Sequence, residues 1–149
     1  MKTDKGIVRE NNQDNCSVSV FDDKSLFAVV CDGMGGPNAG EVASDIAVGT
    51  ISEKVVSGWN NSLSLDEIKE LLIEAVNSAN IGIYKKAHEV ASYEGMGTTA
   101  VLAVCTDNQV VFANVGDSRA YRVSDSLNQI TKDHSYVQEL LDSGKITTE

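Results

Sequence analysis

Two long stretches with helical spacing of apolar residues, lying between groups of short strand-like runs, constrain the fold of this chain most. The first follows Pro37 and closes near Gly58, and the second begins at the capping pair Ser64 and Glu67. Their apolar positions are Ala43, Ile46, Ala47, Ile51 and Val55 in the first, and Ile68, Leu71, Leu72, Ala75, Val76, Ala79 and Ile83 in the second. The spacing predicts two consecutive helices.

Short apolar runs on both sides of these helices predict antiparallel strands. Residues 16–20 and 26–31 form a predicted hairpin that ends at Asp32, at an edge of the sheet. After the helices, three apolar runs predict a meander of strands: Ala100–Cys105, Val110–Val115 and Ala120–Val123. A short strand is predicted at Leu127–Ile130, and a final helical segment at Tyr136–Leu141. This order predicts an α+β layered fold, with residues 1–149 in a single domain.

Composition excludes several classes of partner. The formal net charge of −10 argues against nucleic acid or an anionic membrane surface as the main partner. Cys16, Cys31 and Cys105 lie in apolar runs without metal-ligand spacing, so we expect reduced core thiols. Because the chain has neither an apolar signal region nor a stretch long enough to span a bilayer, we expect a soluble, cytoplasmic protein.

The segment from Val29 to Gly36 joins a buried-strand pattern to an aspartate and a glycine-rich bend. The Asp32 carboxylate and the main-chain carbonyl of Gly33 would offer the oxygen ligands that Mg²⁺ or Mn²⁺ prefers. Glycines let the backbone turn sharply and approach an ion or a phosphate closely. An isolated Asp-Gly pair is more typical of a β-turn with a solvated aspartate, so this segment alone leaves both interpretations open.

Other polar residues interrupt the apolar pattern near predicted strand ends. If Asp14, Asp32 and Asp117 converged, they would repel one another unless a divalent cation lay between them. Arg119 is expected to form a salt bridge with one of these three aspartates. The planar guanidinium of Arg9 suits a phosphate.

Five motifs in order along the chain resemble the N-terminal motifs of the bacterial PP2C-type (PPM) metal-dependent serine/threonine phosphatases. They are Gly6-x-Val8-Arg9-x-x-Asn12-Gln13-Asp14, Asp32-Gly33-Met34-Gly35-Gly36, Gly97-Thr98-Thr99-Ala100, Asn114-Val115-Gly116-Asp117-Ser118-Arg119-Ala120-Tyr121 and Ile130-Thr131-x-Asp133-His134-Ser135. The resemblance implies a PP2C-like four-layer α-β-β-α sandwich, in which two antiparallel sheets are flanked by helix pairs. It also implies a binuclear Mg²⁺ or Mn²⁺ centre, where a metal-activated water hydrolyses protein phosphoserine and phosphothreonine.

The resemblance also implies roles for individual residues, carried over by position. Asp32 would bridge the two metal ions, and the carbonyl of Gly33 would bind one of them. Asp117 matches the position of a third, more weakly held metal. Arg9 would hold the substrate phosphate, and Asp14 would orient metal-bound water from outside the ligand set. Arg9, Asp14 and Asp32 are therefore the expected catalytic residues.

Two positions depart from the family pattern. Gln13, also expected just outside the metal ligands, stands where many members have glutamate, which removes one negative charge and predicts more water around the second metal. Met34 stands where animal enzymes have a histidine proposed to protonate the leaving alcohol, although methionine is usual in the bacterial branch. Because a thioether cannot donate a proton, that proton would come from water or metal-bound solvent.

Family domains are longer than 149 residues, so we expect a C-terminally incomplete sandwich and an under-ligated metal site. The chain alone is then expected to be weak or inactive as a phosphatase. The expected substrates are phosphoproteins of a bacterial serine/threonine kinase. Two alternatives remain open: a truncated pseudophosphatase that binds phosphoproteins or a kinase, and a non-enzymatic metal-stabilised interaction domain.

Overall fold

The computed structural model describes residues 2–36 and 38–147, and its elements follow the predicted order of strands, helices and strands. The strands are β1 Asp14–Val20, β2 Leu26–Met34, β3 Gly97–Thr98, β4 Ala100–Cys105, β5 Val110–Val115, β6 Tyr121–Val123 and β7 Leu127–Gln129. The helices are α1 Ala39–Gly58, α2 Leu65–Glu89 and α3 Tyr136–Asp142. The predicted α+β class is confirmed.

The strands form two antiparallel sheets. In the larger sheet the order is β1-β2-β4-β5, and β3 pairs with the end of β2. The smaller sheet contains β6 and β7. The predicted meander is therefore wrong at its third strand, since β6 pairs with β7 and not with β5. The chain changes direction after β5 at Gly116, whose φ of 94° lies in the left-handed region.

Strand β2 is central in its sheet and longer than predicted. The prediction that Asp32 ends the strand at a sheet edge is wrong, because β1 pairs on one side of β2 and β4 on the other. Pairing with β3 continues the strand, with Gly33 opposite Thr98 and Met34 opposite Gly97. The bend comes only at Gly35, where φ is 145°.

The core lies between one face of the large sheet and the helices α1 and α2. Alternation along β2 directs Phe27, Val29 and Cys31 to this face, and all three are fully buried. They belong to the same buried cluster as Ile51 of α1 and Leu72 of α2. The fold thus leaves the alternate positions of β2, which include Asp32, on the opposite face.

Two local predictions have different outcomes. The capping box at the start of α2 is confirmed, because Ser64 N–H donates to Glu67 Oε2 (2.8 Å) and Glu67 N–H donates to Ser64 Oγ (3.3 Å). All three cysteines are free, but only Cys31 is buried, so the core-thiol interpretation fails for the half-buried Cys16 and Cys105. Burial raises the pKa of the Cys31 thiol to about 12.

In the described part of the chain, no helix has the length and apolarity to cross a membrane.

Candidate functional site

Two carboxylates face each other where β1 begins and β2 ends. Asp14 is paired directly with Asp32 in the β1–β2 register, so their side chains share one face of the sheet. Partial burial and then the neighbouring charge and hydrogen bonding of Asp14 raise the pKa of Asp32. The charge of Asp117 raises the same pKa further, whereas Arg9 lowers it. A negative potential is therefore concentrated around Asp32 and offset only in part by Arg9.

Hydrogen bonds to Thr98 of β3 and to Thr99, which lies between β3 and β4, fix the main chain of Asp32 on both sides. Asp32 N–H donates to Thr99 Oγ1 (3.0 Å), while the Asp32 carbonyl accepts from Thr98 Oγ1 (3.0 Å) and from Thr99 N–H (2.9 Å). The aspartate therefore lies on a backbone with little freedom to move, which suits a precisely placed ligand.

Gly33 is fixed by a close approach to the first turn of α1. A Cβ added at Gly33 would lie 2.0 Å from the Gly40 carbonyl oxygen, and one added at Gly40 would lie 2.8 Å from the Gly33 carbonyl oxygen. Gly33 N–H donates to the Gln13 carbonyl (3.1 Å), which also accepts from Ser44 Oγ (2.7 Å). Only glycine at both positions allows this packing, so α1 determines where the Gly33 carbonyl lies.

Asp117 lies in the turn between β5 and β6, which neighbouring segments hold from two sides. Ser118 Oγ contacts Thr99 Oγ1 at 2.7 Å, and His134 N–H donates to the Gly116 carbonyl at 2.9 Å. This fixes both residues that flank Asp117 in the sequence.

Arg119 forms a different salt bridge from the one predicted. Its Nε and Nη2 donate to the two carboxylate oxygens of Asp133, at 2.8 and 2.6 Å, and this pairing lowers the pKa of Asp133. The expected partner was one of Asp14, Asp32 and Asp117. The prediction failed because the segment after β7 folds back beside the turn and brings Asp133 to the guanidinium, which ties that segment to the turn.

Arg9 lies on the same open cleft as Asp32. This cleft has a volume of about 550 Å³, and Gln13, Gly33 and Met34 also line it. Among residues 2–36 and 38–147, no carboxylate lies within ion-pair distance of Arg9. The Gln13 side chain is directed towards the glycine bend, where Nε2 lies 3.4 Å from the Gly36 carbonyl. The cleft thus combines a guanidinium with carboxylate and carbonyl oxygens.

The chemistry of these donors fits a hard divalent cation. Asp32 and Gly33 offer only oxygen atoms, and the like charges of Asp14 and Asp32 favour a nearby cation. In the ranges 2–36 and 38–147, no three histidine, cysteine, aspartate or glutamate side chains gather closely enough to form a metal site by themselves. The three aspartates are thus electrostatic neighbours that do not form one compact cluster.

Sequence reasoning assigned no role to several residues that hold the site together. Thr98 and Thr99 contact Asp32, and Ser44 and Gly40 position the segment around Gly33. The threonines lay within a recognised motif, which was the available signal. The sequence signal for Ser44 was weaker, because it is only a polar residue among the apolar positions of α1.

Comparison with known proteins identifies the family. The family model described as Protein phosphatase 2C matches residues 7–142, which is most of the chain. The chain belongs to the protein phosphatase 2C family, as its five motifs indicated.

Its relatives include bacterial serine/threonine phosphatases. The chain is 41% identical over 152 residues to the serine/threonine phosphatase stp of Listeria innocua, and the match covers 99% of this chain and 59% of that protein. It is 36% identical to the serine/threonine protein phosphatase PstP of Mycobacterium tuberculosis, covering 99% of this chain and 27% of that protein. The chain thus spans little more than half of the first relative and about a quarter of the second.

A solved structure shows the same fold. The crystal structure of the serine/threonine phosphatase Stp1 from Staphylococcus aureus matches with a TM-score of 0.88 and 38% identity, covering 98% of this chain and 57% of that one. The PP2C-like fold class predicted from the sequence is therefore confirmed over the part that this chain spans.

Proposed function

We propose that this chain is part of a single metal-dependent phosphatase domain that hydrolyses phosphoserine and phosphothreonine in proteins. The observation that carries the proposal is the Asp14–Asp32 pair, which lines together with Arg9 a smaller polar cleft adjoining the 550 Å³ one. Membership of the protein phosphatase 2C family supports it. This chain spans 59% of the Listeria innocua relative, and its described residues contain no group of three His, Cys, Asp or Glu side chains that could hold a metal ion, so we expect weak turnover from it alone.

Asp32 and the Gly33 carbonyl are the residues that would hold two Mg²⁺ or Mn²⁺ ions, and Asp117 would contribute to a weaker third site. Bound cations would activate water and neutralise phosphoryl charge. Asp14 lies opposite Asp32 on the neighbouring strand and would orient water there, without itself binding metal. Because Gln13 would add no charge beside the ions, solvent would occupy more of their surroundings.

Arg9 is the residue that would bind the substrate phosphate. Its guanidinium presents several N–H donors in one plane, which matches two phosphoryl oxygens better than an ammonium group does. Met34 also lines the cleft and is 63% exposed, but its thioether cannot donate a proton to the leaving alcohol. Solvent would therefore protonate the serine or threonine oxygen.

The substrates would be phosphoproteins of a bacterial serine/threonine kinase in the cytoplasm. The bacterial relatives are named serine/threonine phosphatases, which supports this substrate class. A net charge of −10 favours basic docking regions over nucleic acid or an anionic membrane.

Phosphate release from a phosphothreonine peptide tests this proposal directly. The full-length protein, including any residues beyond position 149, should release phosphate with Mn²⁺ or Mg²⁺ and stop when a chelator is added. Asp32→Asn should lower kcat by at least about a hundredfold, because one preorganised charge at the reacting centre is lost.

Asp107→Asn is the matched control, because it removes the same charge from an exposed residue paired with Lys24. Its activity should equal that of the unmodified protein. Chelator-resistant turnover would contradict the metal-dependent mechanism. Phosphopeptide binding with no turnover in either metal would instead support the pseudophosphatase alternative.

A further inference from the structure

We infer that Thr99 is a positioning residue that sets the placement of Asp32 relative to the Asp117 turn, and so sets the affinity of the site for divalent cations. This inference rests on the proposed function. Thr99 precedes β4 and is neither a predicted metal ligand nor a predicted catalytic residue. Its hydroxyl is the structural connection between the two carboxylate-bearing segments.

The first half of this connection runs to Asp32. Thr99 Oγ1 accepts the N–H of Asp32 at 3.0 Å, and Thr99 N–H donates to the carbonyl of the same residue at 2.9 Å. One threonine thus holds both polar main-chain groups of the aspartate. Rotation of the Asp32 peptide groups would break these bonds, so the direction of the carboxylate depends on Thr99.

The second half runs to the Asp117 turn. Thr99 Oγ1 lies 2.7 Å from Ser118 Oγ. The Thr99 methyl group packs against Gly116 so closely that a Cβ added at Gly116 would lie only 2.7 Å from it. Gly116 and Ser118 are the two neighbours of Asp117 in sequence. Thr99 therefore contacts the turn on both sides of the aspartate and restricts its position.

The hydroxyl has two partners, so it is suited to both contacts at once. It accepts from Asp32 N–H and still carries one proton to donate, or a second lone pair with which to accept, at Ser118. Thr99→Val keeps the methyl packing against Gly116 and removes both hydroxyl contacts. Thr99→Ser keeps the hydroxyl contacts and removes the methyl group that packs against Gly116. Ser118→Ala removes only the contact to the turn.

The test compares Mn²⁺ binding by these variants in the full-length protein, with free Mn²⁺ measured by electron paramagnetic resonance. Thr99→Val should raise the Mn²⁺ dissociation constant by roughly tenfold, as expected when a group that orients a metal ligand is lost. Thr99→Ser should stay near the unmodified protein. Ser118→Ala should weaken binding less than Thr99→Val, and adding it to Thr99→Val should have no further effect because both act through one contact.

Thr106→Val is the matched control. Thr106 follows the other end of β4, and its hydroxyl donates to the Gln109 carbonyl (3.3 Å), away from the cleft. It should bind Mn²⁺ like the unmodified protein. Thermal unfolding without metal identifies any variant that misfolds. If Thr99→Val does not fold, the Mn²⁺ affinity of Ser118→Ala tests whether the contact to the turn affects metal binding.

The activity readout separates positioning from a general loss of structure. Thr99→Val should raise the half-saturating Mn²⁺ concentration more than it lowers kcat at saturating Mn²⁺. Equal Mn²⁺ affinity in Thr99→Val and Thr106→Val would overturn this inference and leave the proposed function intact. An unmodified protein that neither binds Mn²⁺ nor releases phosphate would overturn both.

Discussion

The two ends of strand β2 are built on different principles. Near its start, Phe27 and Val29 are fully buried against α1 and α2, and apolar packing alone accounts for their positions. At its end, Asp32 and Gly33 are held by hydrogen bonds and by a contact between two glycines. The first end stabilises the fold, whereas the second fixes the direction of polar groups that face an open cleft.

This contrast predicts that substitutions at the first end change stability and that those at the second change metal or substrate binding. Substitutions at both ends of β2 test this contrast.

The largest effect is expected for Phe27→Ala. Removing this fully buried ring should lower the free energy of unfolding by about 3–5 kcal/mol, through lost burial and the cavity that remains. Phe112→Ala, on the half-exposed edge strand β5, is the control and should cost much less. Urea unfolding measures both, and equal losses would mean that the core is not where the structure places it.

Arg9→Ala should act on substrate binding and leave stability unchanged. Losing charge-assisted hydrogen bonds to the phosphate should raise KM for a phosphothreonine peptide by an amount equivalent to about 1.5–3 kcal/mol. Arg9→Lys should recover only part of this loss, because an ammonium lacks the planar donor pair. Arg122→Ala, on the exposed strand β6, should behave like the unmodified protein. An unchanged KM in Arg9→Ala would remove Arg9 from the phosphate site.

Gly40→Ala tests the contact between α1 and the end of β2. The new methyl group would lie 2.7 Å from the Gly33 carbonyl carbon, which should cost about 1–3 kcal/mol of stability and weaken Mn²⁺ binding. Gly49→Ala lies in the same helix with open space around it, and should instead stabilise by about 0.5–1 kcal/mol. Thermal unfolding and Mn²⁺ titration of both variants measure the difference. Matching results in the two would show that the close contact is absent in solution.

The smallest effect is expected at the start of α2. Ser64→Ala removes the capping box and should cost about 1 kcal/mol of stability. Because the cap lies outside the cleft, Mn²⁺ affinity should not change. Ser62→Ala, in the preceding turn, provides a nearby comparison without the cap.

The sequence alone predicted the features that depend on a regular spacing of apolar residues or on a local motif. The two long helices follow from the spacing of their apolar residues, and the start of α2 follows from Ser64 and Glu67. Asp14 and Asp32 were predicted as site residues, and their direct pairing agrees with the predicted hairpin.

The parts that sequence reasoning missed depend on contacts between distant segments. Thr99 lies 67 residues from Asp32, and Ser44 lies 31 residues from Gln13, so no local spacing connects them. The prediction of the salt-bridge partner of Arg119 was wrong for the same reason, because Asp133 reaches Arg119 only through the fold of the segment after β7. Strand β3 has two residues, too few to give a periodic signal.

Direct Mn²⁺ binding to the full-length protein and to its Asp32→Asn and Asp107→Asn variants tests whether the end of β2 holds the cation. Both substitutions remove one negative charge, so a difference between them reports position and not net charge. We expect Asp32→Asn to weaken binding at least about tenfold and Asp107→Asn to leave it unchanged. Equal Mn²⁺ affinity in the two variants would contradict this expectation.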